Sequence, residues 1–376
     1  MGEKTGRKKV VIILENLRRG GIEIAAVRFF ELLDSEKYET TFLLRNLQHY
    51  DNSMVRILEK NGANIIVKPK ECSGYLKDYL FFKKLFKKEK YDIVHAHQLF
   101  YNGIIMRAAC KAGVGKRIAH SHATEENRVM GKAKKAVSDI YHAVMRAVIK
   151  RYATDIVGCS EKAGEYMCGK RLFRERGTVL PNYVNTDEYS FNAERRLQKR
   201  KELGITNELL VGHTGSIYWI KNQTFLVSLL ARLLELRPDA RLMLVGEETD
   251  GGETRALAEK LNVADKVMFM GSRDDIPDLL CAMDIFMFPS RFEALPIAPI
   301  EAQAAGLPCI VSTGVPEEIK ATDSFARLSL DAPAEQWIEK IAEFSAFDRT
   351  KSDLTELKAR YSAQSIARKL NALYES

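Results

Sequence analysis

The chain has 376 residues, 46% hydrophobic and 29% charged, with 58 Lys and Arg against 50 Asp and Glu for a net charge of +8. That length supports two domains that each bury a core, and the composition excludes a disordered or collagen-like chain. No uncharged apolar run of about 18 residues is present to span a membrane, and MGEKTGRKKV lacks the apolar stretch of a signal peptide, so the chain reads as cytoplasmic.

Taken in order, KKVVIILENL (8–17) reads as a buried strand ending at Arg18-Arg19-Gly20-Gly21, followed by a helix with Ile24, Val27 and Leu32 as apolar positions. Two glycines at a strand-to-helix turn let backbone N–H groups approach a ligand closely. A plain tight turn accounts for them equally well. The turn lacks G-x-G-x-x-G spacing, which argues against a nicotinamide cofactor. Strands at 38–46, 64–68, 92–97, 117–121 and 154–159 alternate with helices at 52–61, 75–88, 101–112 and 132–152, and a short helix follows 159. Such alternation specifies α/β layers around a mostly parallel, doubly wound sheet, with ligands beyond the carboxyl ends of its strands.

Charge is lopsided: residues 1–190 carry a net +13 and the remainder −5, so the first half faces something anionic. DYLFFKKLFKKEK (78–90) has the spacing of a basic amphipathic helix that lies on an anionic bilayer with Tyr79, Leu80, Phe82, Leu85 and Phe86 inserted. The competing reading is a core-facing helix with its lysines in water. A second basic helix carrying Lys132, Lys134, Lys135, Arg146, Lys150 and Arg151 favours the membrane. Neither has the aromatic platform of a single-strand binder, so nucleic acid is not expected as a partner. The pairs His95/His97 and His120/His122 each end a strand with both rings on one face. No carboxylate motif accompanies them, and no metal is expected there. The six cysteines (72, 110, 159, 168, 281 and 309) form no C-x-x-C and read as reduced thiols.

Beyond GTVLPNYVN (177–185) and a polar helix, AERRLQKRKE, the second domain starts near Leu203-Gly204. Strand 209–214 enters Gly215-Ser216-Ile217-Tyr218-Trp219-Ile220-Lys221-Asn222, and a helix runs to Leu236. Strand 241–245 ends at Gly246-Glu247 and strand 266–270 at Gly271-Ser272-Arg273; helix 275–283 follows. In 284–318 an apolar strand, Ile285 to Phe288, turns through Pro289-Ser290 and Arg291-Phe292-Glu293 into a small-residue helix starting at Ala294-Leu295 and ending at Gly306. A helix start above a buried sheet presents free N–H groups and partial positive charge, a place for a diphosphate. Glu293 precedes this helix and Glu301 lies inside it, eight residues on; strand Cys309–Val311 and helices at 333–345 and 354–374 close the chain.

With these glutamates in their strand–loop–helix setting, nearly the whole sequence resembles the retaining glycosyltransferases of family four. EALPIAPIEAQAAGLPCIVS with LSLDAPAEQWIEKI is similar to their capsular and exopolysaccharide branch. The resemblance implies the GT-B fold, two doubly wound Rossmann-like domains facing across a cleft. Residues 1–188 plus the C-terminal helix 355–376 would bind the acceptor, and 189–354 the nucleotide sugar. It implies that Gly20 and Gly21 lie against the donor's phosphates and that His122 contacts the donor sugar, His120 being the weaker candidate. His97, His120 and Asn102 would line the acceptor pocket. The family segment G-R-x(4)-K-[GN] is matched by Gly215, Lys221 and Asn222, with Ser216 where the arginine stands; Arg18, Arg19 and Arg291 are candidates to replace it. Tyr183 stands where the family's P-N-G segment has glycine. Gly246 and Arg273 would touch base and ribose. Ser290, Glu293, Ala294, Leu295 and Glu301 would complete the donor site, Glu293 on the sugar hydroxyls and Glu301 on the ribose.

The implied activity moves a hexose or N-acetylhexosamine from a UDP-sugar, with retention, to a lipid-linked or membrane-associated glycan acceptor. Glu293, Lys221 and His122 would be the catalytic residues. No cofactor or metal is expected, since the chain has no D-x-D pair to hold one, and the place of action would be the inner face of the plasma membrane. Ser216 leaves an alternative open, a non-catalytic paralogue that partners an active transferase.

Overall fold

The computed structural model describes residues 6–18, 20–46, 51–72, 74–124 and 132–376. They form two compact units, Met1–Tyr183 with Gln364–Ser376, and Val184–Ala363.

In the first unit, strands β1 (Lys8–Leu14), β2 (Tyr38–Leu44), β3 (Asn64–Val67), β4 (Ile93–Ala96), β5 (Lys116–Ser121), β6 (Asp155–Gly158) and β7 (Gly177–Val179) form one sheet in the order 3-2-1-4-5-6-7. Every pair is parallel. Helices α1 (Gly21–Glu31), α2 (Asn52–Lys60), α3 (Tyr75–Glu89), α4 (Asn102–Ala112), α5 (Lys132–Tyr152), α6 (Glu161–Cys168) and α7 (Lys170–Arg176) lie in the connections. Val10 to Leu14 are buried without alternation, as strands covered on both faces must be. The strand order reverses between β1 and β4, so the Gly20–Gly21 turn after β1 and His97 after β4 flank the switch point.

α3 corrects the insertion reading of the sequence. Phe82 and Phe86 are fully buried against Val11, Val94 and Ile105, while Tyr79 and Leu85 pack partly buried beside them. Only Leu80 of the five is exposed. The lysines point to water because the other face of the helix is core.

The second unit contains α8 (Ala193–Glu202), β8 (Leu210–Thr214), α9 (Gln223–Leu233), β9 (Arg241–Val245), α10 (Glu253–Lys260), β10 (Val267–Phe269), α11 (Ile276–Ala282) and β11 (Ile285–Phe288). α12 (Ile297–Ala304), β12 (Cys309–Ser312), β13 (Phe325–Leu328), α13 (Ala334–Ser345) and α14 (Thr355–Tyr361) follow. Its parallel sheet has the order 10-9-8-11-12-13, with the switch point between β8 and β11. Trp337 of α13 is fully buried on Phe225 of α9, and its indole N–H donates to Ser329 O at 3.2 Å.

Two boundaries differ from expectation. The helix expected over 354–374 is broken at Ser362, whose backbone is extended, so α14 is separate from α15 (Ala363–Glu375). α14 belongs to the second unit, because Arg360 donates to Lys320 O at 2.9 Å and the Tyr361 hydroxyl to Glu318 O at 3.2 Å. The units therefore divide at 183/184 and 363/364 rather than at 188/189 and 354/355. At the first crossing, Val184 N–H donates to Tyr361 O at 2.9 Å. All six cysteines are free, and among the described residues no helix is long and apolar enough to cross a membrane.

Candidate active site

In the second unit two turns are laced together at the switch point. β8 ends in His213 and Thr214, and the chain then runs through Gly215 to Asn222, which adopts the left-handed conformation at φ 58°. Gln223, the first residue of α9, is buried beneath this turn. Its amide nitrogen donates to Ser216 O at 3.0 Å and to His213 Nε2 at 3.1 Å, while its oxygen accepts from Tyr218 N at 3.3 Å. With Nε2 accepting, His213 carries its proton on Nδ1 and donates to Met287 O at 2.9 Å. Burial pushes this imidazole down to about 3, so it is neutral, and Lys221 adds to the shift.

The turn after β11 is tied to the first. Arg291 N donates to Ile220 O at 2.8 Å, and its guanidinium donates to Asn222 Oδ1 at 3.0 Å and Trp219 O at 3.2 Å. Asn222 in turn donates to Pro289 O at 3.3 Å, and Glu293 N to Gly314 O at 3.0 Å. These bonds bring Lys221 Nζ to 2.6 Å from Glu293 Oε1, with both side chains largely buried and the ammonium 4.5 Å from the centre of the Phe288 ring. Ser312 Oγ donates to Ser290 O, whereas Ser290 Oγ is buried with no protein partner.

The helix start lies further along than expected. α12 begins at Ile297 with Pro296 at its N-cap, so Ala294 and Leu295 precede the helix. A residue before proline is pushed out of the helical region, which accounts for the delay. The first-turn amides are those of Ile297 and Ala298, since Pro299 has none. Glu301 is buried in the second turn.

Gly246 and Arg273 have visible structural partners. A Cβ on Gly246 would stand 2.2 Å from Gly215 O, so glycine is required for the β9 turn to pass under the β8 turn. Arg273 is held bidentately by Asp275 at 2.8 and 2.7 Å.

At the first unit's switch point the chemistry is different. Gly20 caps α1, and the Glu23 carboxylate folds over it so that a Cβ there would stand 2.4 Å from Glu23 Oε2; burial raises the Glu23 pKa. Gly21 has open space around it. Arg18 is exposed at this turn; Arg19 lies outside the described residues. His95 stacks on His97 and His120 on His122, with ring centres 4.4 and 4.2 Å apart, and the two stacks meet edge to edge between β4 and β5. His95 bonds to the Tyr374 hydroxyl at 3.0 Å and to His120 Nδ1 at 3.1 Å, and His97 Nδ1 to His122 Nε2 at 2.8 Å. Burial drives all four imidazoles to the neutral form, His95 and His122 down to about 3. Three ring nitrogens, His97 Nε2, His120 Nε2 and His122 Nδ1, are buried without a protein partner.

Ligand nitrogens of His95, His97 and His120 lie within 4.8 Å of one another. The His95 and His120 planes are 7° apart and the His95 and His97 planes 28° apart. His95 and His120 meet edge to edge through their 3.1 Å Nε2–Nδ1 hydrogen bond, so those two nitrogens already serve each other. Asn102, expected in an acceptor pocket, is fully buried. It accepts from Gln98 N at 3.0 Å and donates to His120 O at 3.1 Å, and so fixes the turn after β4.

Comparison with known proteins agrees with this arrangement. A family model described as "Glycosyltransferase Family 4" matches residues 19–188, and one described as "Glycosyl transferases group 1" matches 195–374. EpsF of Bacillus subtilis (strain 168), named as a glycosyltransferase, is 30% identical over 358 residues, covering 93% of this chain and 91% of that protein. The chain belongs to the GT-B glycosyltransferases. This glycosyltransferase is a hexosyltransferase by class. It is also 28% identical over 305 residues to the UDP-Gal:alpha-D-GlcNAc-diphosphoundecaprenol alpha-1,3-galactosyltransferase of Escherichia coli, covering 78% of this chain and 76% of that one. Anabaena HepE, solved in complex with UDP-glucose, shares the fold of the glycosyltransferase at a TM-score of 0.77 and 18% identity, over 98% of this chain and 99% of that one.

Sequence reading missed His213 and Gln223, the two buried residues that hold the glycosyltransferase's β8 turn. The available signal was a polar pair, His213 and Thr214, closing an otherwise apolar strand.

Proposed function

We propose that this enzyme transfers a hexose or N-acetylhexosamine from a UDP-sugar, with retention, to a lipid-linked or membrane-associated glycan acceptor in surface polysaccharide synthesis. The observation that carries the reading is the Lys221–Glu293 pair, set at 2.6 Å where the two turns interlock. In transfer, the bond between the sugar C1 and the diphosphate oxygen breaks, and negative charge grows on the leaving oxygen. Donors already aimed at that charge lower the barrier most. Lys221 supplies such a donor, and the Ile297 and Ala298 amides supply the helix start. Binding separates the pair, with Lys221 turning to the diphosphate and Glu293 to the sugar hydroxyls. Arg291, anchored on the 219–222 turn, provides the second cation that Ser216 cannot.

The acceptor hydroxyl oxygen then bonds to C1 on the face the diphosphate leaves, and its proton passes to the departing phosphate oxygen. No metal takes part in this reading. The neutral histidine cluster suits sugar hydroxyls, because an unpartnered ring nitrogen can accept from or donate to them. His122 is assigned to the donor sugar and His97 and His120 to the acceptor. UDP is supported by the donor in the name of the Escherichia coli relative, and an anionic membrane follows from an acceptor carried on lipid. The non-catalytic alternative has only Ser216 in its favour.

A panel of nucleotide sugars, scored for release of nucleotide diphosphate, tests the reading. Turnover of one UDP-sugar that disappears in Glu293→Ala and Lys221→Ala supports it, and no turnover or binding of any donor overturns it.

A further inference from the structure

The first unit exposes a set of aliphatic side chains on two helices. On α5, Val137 (68% exposed), Ile140 (66%) and Val144 recur at helical spacing, and on α3 Leu76 (70%) and Leu80 do the same. Tyr75 joins the sets, since it is exposed and its ring lies 5.6 Å from that of Tyr141 on α5. α4 packs against both helices from beneath. Single exposed apolar residues are ordinary, but a group drawn from two neighbouring helices marks a binding surface.

The charges around it identify the occupant. Exposed Lys134 and Lys135 stand at the start of the α5 stripe, and exposed Arg151 continues its line seven residues beyond Val144. On α3, exposed Lys84 and Lys87 continue the line of Leu76 and Leu80. Asp139 is the only acid on α5. On α3, Asp78 is buried and neutralised by Lys68 at 2.6 Å. Lysine is depleted at the centre of protein–protein interfaces, whereas aliphatic stripes framed by lysine suit the boundary between headgroups and acyl chains.

We propose that the α3–α5 face docks the enzyme on an anionic bilayer, with Leu76, Leu80, Val137, Ile140 and Val144 entering the boundary layer and the flanking cations meeting lipid phosphates. The proposal rests on the reading of a membrane-borne acceptor and replaces the Phe82 and Phe86 insertion that the fold excludes.

Flotation of the full chain with vesicles of phosphatidylcholine and phosphatidylglycerol tests it. The exposed positions allow substitution without opening the core, so two variants are informative: Leu80→Ser/Val137→Ser/Ile140→Ser and Lys134→Glu/Lys135→Glu/Arg151→Glu. Each is expected to lower the partition coefficient by about tenfold or more, and added salt to weaken wild-type binding. Leu197→Ser/Leu236→Ser removes two equally exposed leucines of the second unit (72% and 69%) and should float as wild type does. Unchanged flotation in both variants, or equal binding to pure phosphatidylcholine, overturns the proposal. So does a wild-type dimer in sedimentation that the serine variant dissociates, which assigns the face to a second copy. UDP affinity on the same preparations keeps the two readings apart: a wild type that binds UDP but does not float sinks the docking alone, and one that floats but binds no nucleotide sinks the transferase reading alone.

Discussion

The two switch points solve opposite electrostatic problems with the same strand–turn–helix geometry. In the second unit, charged groups stand ready beside neighbours: Lys221 on Glu293, and Arg291 on Asn222 and Trp219. In the first, four neutral imidazoles are stacked, with three nitrogens left without protein partners. A preorganised cation costs no reorganisation when negative charge develops beside it. Neutral groups with spare donors and acceptors match hydroxyls without attracting ions. Under the proposed function, Lys221 and Arg291 serve the leaving diphosphate, while Glu293 and the neutral imidazoles serve sugar hydroxyls.

The largest expected effect removes the charged side of that contrast. Glu293→Ala and Lys221→Ala should each lower kcat by a hundredfold to a thousandfold, about 3–4 kcal/mol, measured as release of UDP from the best donor. Next comes the lacing. Gly246→Ala places a methyl group 2.2 Å from Gly215 O at a φ of +148°, and should cost about 2–3 kcal/mol. Denaturant unfolding reads that loss, and a stability equal to wild type would mean that the turns are not locked. A smaller effect is expected from Arg291→Ala, which should weaken UDP binding about tenfold, or about 1.4 kcal/mol. Calorimetry measures it, and Ser216→Arg in the same chain should restore the affinity; an unchanged Kd would remove Arg291 from the donor site.

The neutral side is sharpened by pH. Burial holds His95, His122 and His213 at about 3, below the ordinary 6.5. The unfolded chain therefore binds protons that the folded chain refuses. The stability these groups contribute is whole above pH 6.5 and is lost as pH falls toward 3, by about 1.4 kcal/mol per pH unit for each. The thermal midpoint should fall between pH 6.5 and 5, and His213→Asn should flatten that slope. A slope identical to wild type would show that His213 does not control it.

Apolar runs such as Val10–Leu14 and Ile285–Phe288 made the strands legible, because a strand covered on both faces has no polar alternation to confuse it. The strand–turn–helix order that places Lys221 and Glu293 was legible for the same reason. Their contact spans 72 positions and is set by the pairing of β8 with β11, which no local pattern records. The delayed start of α12 came from Pro296, whose effect on the preceding residue was outweighed by the small-residue run after it. In α3 the 3.6-residue period was correct but its apolar face was aimed at lipid, although Phe82 and Phe86 had a core to enter. Asn102 was placed in an acceptor pocket by resemblance, and the sequence carried no sign that its amide holds the turn after β4 from inside.

One consequence follows from α15. The Tyr374 hydroxyl, which anchors His95, emerges from the ribosome only after all of Val184–Ala363 has been made. His95 therefore gains this partner only after the second unit has been synthesised, although domains generally fold as units in amino-to-carboxyl order. A chain ending just short of Gln364 should leave His95 more open to alkylating reagents than the full chain does.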